Sequence, residues 1–122
     1  MIKIATSLFE LSDSVSYLNI NCGGGNYPTE FQTYDEGWDS LFRSFDHLRG
    51  KLGEARYAQL VDMAKQAKAH YDAGYACGDF DDPKNPGFIE INHGSWLMQD
   101  VGQVVRNKPP HAYPEELYRW PR

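Results

Sequence analysis

The stretch GEARYAQLVDMAKQAKAHYDAGYACG, from Gly53 to Gly78, restricts the fold more than any other part of this chain. Tyr57, Leu60, Ala64, Ala67 and Tyr71 recur at alternating steps of three and four, with charged or polar side chains between them. That spacing draws one apolar stripe along a helix of about six turns. Its alanines favour the helix, whereas Gly74 and Gly78 weaken the last turns. Upstream, DEGWDSLFRSFDHLRGKL sets Trp38, Leu41, Phe45 and Leu48 at the same kind of spacing. Asp35 or Asp39 is suited to accept hydrogen bonds from the orphan amides at the start of this second helix, and Gly50 to stop it. Two such helices, joined by a few residues around Gly50 to Gly53, form an antiparallel hairpin.

The N-terminal segment satisfies two patterns. Ile4, Leu8, Leu11, Val15 and Leu18 keep the three-four rhythm, and Ser7 with Glu10 spells a capping box. VSYLNI could instead pair with IKIATSLF across a Ser12-Asp13-Ser14 turn as a short N-terminal β-hairpin. The rhythm favours helix. CGGGNYP, from Cys22, reads as a loop. Towards the C-terminus, GFIEIN is followed by SWLMQDVGQVVRN, in which Leu97, Val101, Val104 and Val105 share a face and Ser95 is placed to cap. Pro109 and Pro110 end that helix, and the tail HAYPEELYRWPR can make one last turn after Pro114. The expected architecture is mainly α, a helical bundle of four or five helices, with 122 residues enough for one domain and too few for two.

Charge narrows the partners. The formal net charge is −5, which disfavours non-specific attraction to nucleic-acid phosphate. The first 50 residues hold seven acids against Lys3, Arg43 and Arg49, and no Lys or Arg lies between Lys3 and Arg43. The C-terminal end is basic, with Arg106, Lys108, Arg119 and Arg122 against Glu115 and Glu116. No segment reaches the roughly 18 to 20 apolar residues of a membrane span, and the acids Glu10 and Asp13 interrupt any signal-like N-terminus. A cytoplasmic protein with two free thiols, Cys22 and Cys77, is the expectation; one disulfide in an oxidising compartment is the alternative.

The chemical motifs are incomplete. Asp79, Asp81 and Glu90 fall at positions 1, 3 and 12 of a calcium-binding helix-loop-helix loop, but Pro83 and Lys84 occupy positions that need an oxygen ligand and a glycine. The glycines of NCGGGNY lack the Lys-Ser or Lys-Thr of a phosphate loop. The four histidines, 47, 70, 93 and 111, show no HxH or HExxH arrangement, and neither cysteine belongs to a CxxC pair. No metal, no cofactor and no catalytic residue is therefore expected. An enzyme or small-ligand binder using His70, Cys77 and His93 is one alternative, since folding could bring a histidine base to the thiol; a regulatory or adaptor subunit is another.

What stands out instead is NYPTEFQTYDEGWD, where Tyr27, Phe31, Tyr34 and Trp38 alternate with Glu30, Asp35, Glu36 and Asp39. Aromatic anchors inside a charged rim suit a protein interface; the competing reading makes Tyr34 and Trp38 core and the acids ordinary helix N-terminal charges. The interface expectation comprises Tyr27, Glu30, Tyr34, Asp35, Glu36 and Asp39, with Asp79, Asp81 and Asp82 from the loop 79–90. In its size, its acidic balance, its helical stretch GEARYAQLVDMAKQAKAHYDAGYACGD and its lack of a catalytic set, the chain resembles bacterial immunity proteins of type VI and contact-dependent toxin systems. The resemblance implies a protein that neutralises a cognate toxin by covering its active site or substrate channel, the toxin being basic where it is contacted.

Overall fold

The computed structural model describes residues 3–30, 32–77 and 84–108, and these form five helices and no strand. They are α1 (Leu8–Gly23), α2 (Tyr34–His47), the single turn α3 (Arg49–Leu52), α4 (Glu54–Ala76) and α5 (Pro86–Val105). The mainly helical bundle is as the sequence predicts. The N-terminal hairpin is not formed: α1 is one continuous helix, with Leu11, Val15, Leu18 and Cys22 on its buried stripe.

Local chemistry sets the ends. Ser7 caps α1 by accepting from the Glu10 amide, while the Glu10 carboxylate accepts from the amide and hydroxyl of Thr6, one residue earlier than a standard capping box. For α2 the cap is Thr33, reciprocated by Glu36, rather than Asp35 or Asp39. The Thr33 hydroxyl accepts from the Glu36 amide and the Glu36 carboxylate from the Thr33 amide, a reciprocal pair that an aspartate already inside the helix cannot make. Gly50 does not end α2; it lies inside α3, and the turn into α4 is made at Gly53, whose φ of 83° is costly for a residue with a Cβ. Arg49 crosses this corner with two hydrogen bonds to Glu54, 2.7 and 2.8 Å, and its guanidinium lies 4.3 Å from the centroid of the Tyr57 ring. Ser95 does not cap α5, which begins nine residues earlier at Pro86 with Asn85 accepting from the Gly87 amide. Proline at the first helical position needs no amide partner and is preset for the helix.

The α4–α5 pair is antiparallel and tightly packed. Arg56, near the start of α4, donates to the Val105 carbonyl at the end of α5, and Gly74, late in α4, lies against Gly87 and Ile91, early in α5. A Cβ on Gly94 would stand 2.9 Å from the Tyr71 ring and 3.2 Å from the Ala67 carbonyl. The glycine that weakens α4 by propensity thus belongs to a set that lets two backbones approach. α1 packs on α5 and α2, and α2 on α4. One apolar cluster joins all of them, with Trp38, Phe45, Leu60, Tyr71, Met98 and Val101 each 1% exposed or less.

Two tyrosines of α4 tie it to α1. Tyr71 donates to Asn19 Oδ1 at 2.7 Å, and Tyr75 donates to the Cys22 carbonyl. The segment before α1 is held on α2 by the Ala5 amide donating to the fully buried Ser44 Oγ at 2.9 Å. No described helix is long and apolar enough to cross a membrane.

Candidate functional site

The predicted interface residues divide by structural duty. Tyr34 is half-buried; its hydroxyl donates to Asp72 Oδ1 at 2.7 Å, and its ring meets those of Tyr27, Trp38 and Tyr75 edge-on, 5.4 to 6.3 Å between centroids. Burial, reinforced by Asp72, pushes its phenol well above the ordinary value. Trp38 is 1% exposed. Trp38 is thus core, whereas Tyr34 packs half-buried against the same cluster. Tyr27 is half-buried as well and donates to Gln32 Oε1 at 2.8 Å. Glu36 belongs to the α2 cap, where bonds from the Thr33 amide and hydroxyl hold its carboxyl below the usual range, and Asp39 pairs with Arg43 one turn along, 2.9 Å. Glu30 and Asp35 are exposed, with no ion-pair partner among the described residues. Asp79, Asp81 and Asp82 lie outside the described residues, and Glu90, at the end of the expected loop, sits in the second turn of α5.

A cleft of about 450 Å³ opens beside this segment. Glu10 and Asp13 of α1 line it, with Gln32 from the segment before α2 and Gly37 from its first turn, and Lys3 is the one basic lining side chain among the described residues. The two Thr6 hydrogen bonds, the backbone one first, hold the Glu10 carboxyl below the usual range, so it is ionised at neutral pH. Gly37 makes room: a Cβ there would stand 2.8 Å from the Tyr27 hydroxyl and 2.9 Å from Gln32 Oε1.

The other chemistry-bearing group lies between α4 and α5. His70 Nδ1 and Glu90 Oε2 are 2.6 Å apart, and the His70 and His93 rings stand edge to face with centroids at 5.2 Å. One ligand atom from each of the three lies within 4.8 Å of the others. Glu90 and His93 are three apart on α5 and so share a face, while His70 comes from the antiparallel neighbour. Lys68 and Asp72, two residues to either side of His70, pair with each other at 2.9 Å on a different face of α4, towards Tyr34.

The expected trio of His70, Cys77 and His93 is therefore only partly assembled. Cys77 caps the end of α4, seven residues from His70 along one helix, a rise of about 10 Å, and its Cβ lies against Gly87, six residues before His93. It is an exposed free thiol; Cys22 is free and buried. The third member of the histidine cluster is Glu90. Its signal in the sequence is Glu90-x-x-His93, which becomes readable once α5 is known to start at Pro86.

Comparison with known protein families, with curated proteins and with solved structures finds no match for the chain. Its class is therefore given by its architecture alone, a helical bundle with an acidic cleft and a histidine-glutamate cluster.

Proposed function

We propose that this chain is a stoichiometric inhibitor of the immunity type, binding a cognate toxin that is basic at its contact surface and occluding its active site. The observation that carries this reading is the cleft between α1 and α2, where Glu10 and Asp13 outweigh Lys3 and can receive an Arg or Lys side chain of the partner. Glu30 and Asp35, exposed on the adjoining segment, add carboxylates that accelerate capture of a basic surface. Tyr27 and Tyr34 are held in place before binding by their own hydrogen bonds, which limits the ordering cost of an interface that uses them.

The test is co-expression with the product of the adjacent gene, followed by co-purification and rescue of growth. Glu10→Gln with Asp13→Asn is expected to weaken the complex at least about tenfold, the loss of about 1.4 kcal/mol, and to flatten its dependence on salt. Gln at residue 10 retains an acceptor for Thr6, so α1 stays capped. Unchanged affinity and salt dependence in that variant would remove the cleft from the interface. A second reading, a small-ligand or ion binder, is favoured by the convergence of His70 and His93 with Glu90.

A further inference from the structure

The geometry points to a divalent transition-metal site at the α4–α5 seam, with His70, Glu90 and His93 as its ligands, in contrast to the sequence expectation of none. It deepens the ion-binding reading and is independent of the toxin-inhibitor reading. Two imidazole nitrogens and one carboxylate oxygen form a donor set suited to zinc and its neighbours, whereas calcium and magnesium require oxygen cages. Three protein ligands leave the fourth position of a tetrahedral ion open to water.

The donor atoms already stand close to the spacing that a metal requires. At zinc bond lengths of about 2.0 to 2.1 Å, neighbouring tetrahedral ligand atoms stand roughly 3.3 Å apart. His70 Nδ1 and Glu90 Oε2, at 2.6 Å, are nearer than that, and no pair in the cluster is beyond 4.8 Å. A cation has only to part the first pair by several tenths of an ångström and draw in the third ligand. Side-chain torsions supply such shifts without moving the helices.

The backbone around the cluster is fixed at close quarters. His70 precedes Tyr71, and His93 precedes Gly94; a Cβ added to Gly94 would stand 2.9 Å from the Tyr71 ring and 3.2 Å from the Ala67 carbonyl. The residues that follow the two histidines therefore pack with no room for a methyl group between them, and this close approach sets the separation of the ligand-bearing turns. Ligands on rigid helices whose spacing is fixed by packing are the arrangement that binds an ion without an ordering cost. The His70 and Glu90 side chains remain 33% and 28% exposed, which leaves the ion a route in from solvent. The charged pair nearest in sequence, Lys68 with Asp72, is turned towards α2, so no ammonium group on α4 opposes the cation from that pair.

The test uses the full chain freed of metal by chelator and dialysis. Titration calorimetry with zinc chloride is expected to show one equivalent bound at about micromolar Kd or tighter, unaffected by excess calcium or magnesium. Cobalt(II) is expected to give the visible ligand-field bands of a four-coordinate ion. His70→Ala, Glu90→Gln and His93→Ala should each weaken zinc at least about tenfold, whereas His47→Ala, on the exposed end of α2, and Cys77→Ser should not. Zinc should also raise the thermal midpoint of the wild-type chain, because it binds only the paired helices, and leave that of His93→Ala unmoved. Circular dichroism identifies any variant that fails to fold, and Glu90→Gln, nearly isosteric, then carries the result. Absence of a bound equivalent, or equal affinity in the wild type and the folded ligand variants, would overturn the site and leave His70 and Glu90 as an interhelical pair.

Discussion

At the scale of single residues, two glycines with opposite surroundings show what decides the cost of a side chain. Gly94 has no room: an added methyl meets the Tyr71 ring and the Ala67 carbonyl, neither of which is the end of a flexible chain. Gly50 lies in the exposed turn α3, where an added methyl would have nothing within 4 Å and the backbone is not left-handed. Gly94→Ala is expected to destabilise the fold by about 1 to 3 kcal/mol through overpacking, and Gly50→Ala to stabilise it by about 0.4 to 1 kcal/mol through the unfolded chain. Denaturant titration of both variants checks the pair; a neutral Gly94→Ala would mean that the helices part freely at this point. The same contact bears on the metal proposal, since Gly94→Ala should also weaken zinc binding by shifting His93 relative to His70.

At the scale of elements, the caps explain how much of the fold is legible in the sequence. Ser7 with Glu10 marks the start of α1 in sequence and structure alike, because a hydroxyl outside the helix and a carboxylate three residues on is a local pattern. Thr33 with Glu36 is the same pattern, but the aspartates beside it compete for the role on residue type alone, and only the geometry decides between them. Thr33→Ala is expected to cost about 1 kcal/mol, with Asp35→Asn nearly neutral; urea unfolding distinguishes them, and a larger effect at residue 35 would return the cap to the aspartate. The start of α5 is hidden for a different reason. In GFIEIN the last four residues alternate apolar and polar side chains and include two β-branched isoleucines, which weakens the helical signal, and only packing against α4 at Gly74 and Gly87 settles it as helix. The histidine cluster is hidden with it: Glu90 and His93 share a face only in a helix, and His70 reaches them only after α4 and α5 pair. The central stripe of α4, by contrast, needs no tertiary information, and all of Leu60, Ala64, Ala67 and Tyr71 are buried.

At the scale of the whole molecule, the junction where α1, α2 and α4 meet couples folding to proton binding. Cys22 is fully buried there, and desolvation pushes its thiol up to about 12, against a smaller opposing effect from the Trp38 side chain. Burial likewise carries the Tyr71 and Tyr75 phenols above their ordinary value. Each group is neutral when protonated, and the folded chain holds its proton more tightly than the unfolded one. The associated stability is complete below the ordinary thiol and phenol values and is lost as pH rises past them, from about pH 9 for Cys22 and about pH 10 for the tyrosines. Each proton released only on unfolding steepens the loss by about 1.4 kcal/mol per pH unit. Urea midpoints measured from pH 8 to 11 are expected to fall, with Cys22→Ala flattening the curve between pH 9 and 10 and Tyr71→Phe flattening it above pH 10 while retaining the earlier slope. The two variants also separate this coupling from packing losses, which lower stability by the same amount at every pH. Parallel curves for the wild type and both variants would show that the junction opens to solvent before the molecule unfolds, and that α1 is joined to α4 less firmly than its hydrogen bonds from Tyr71 and Tyr75 imply.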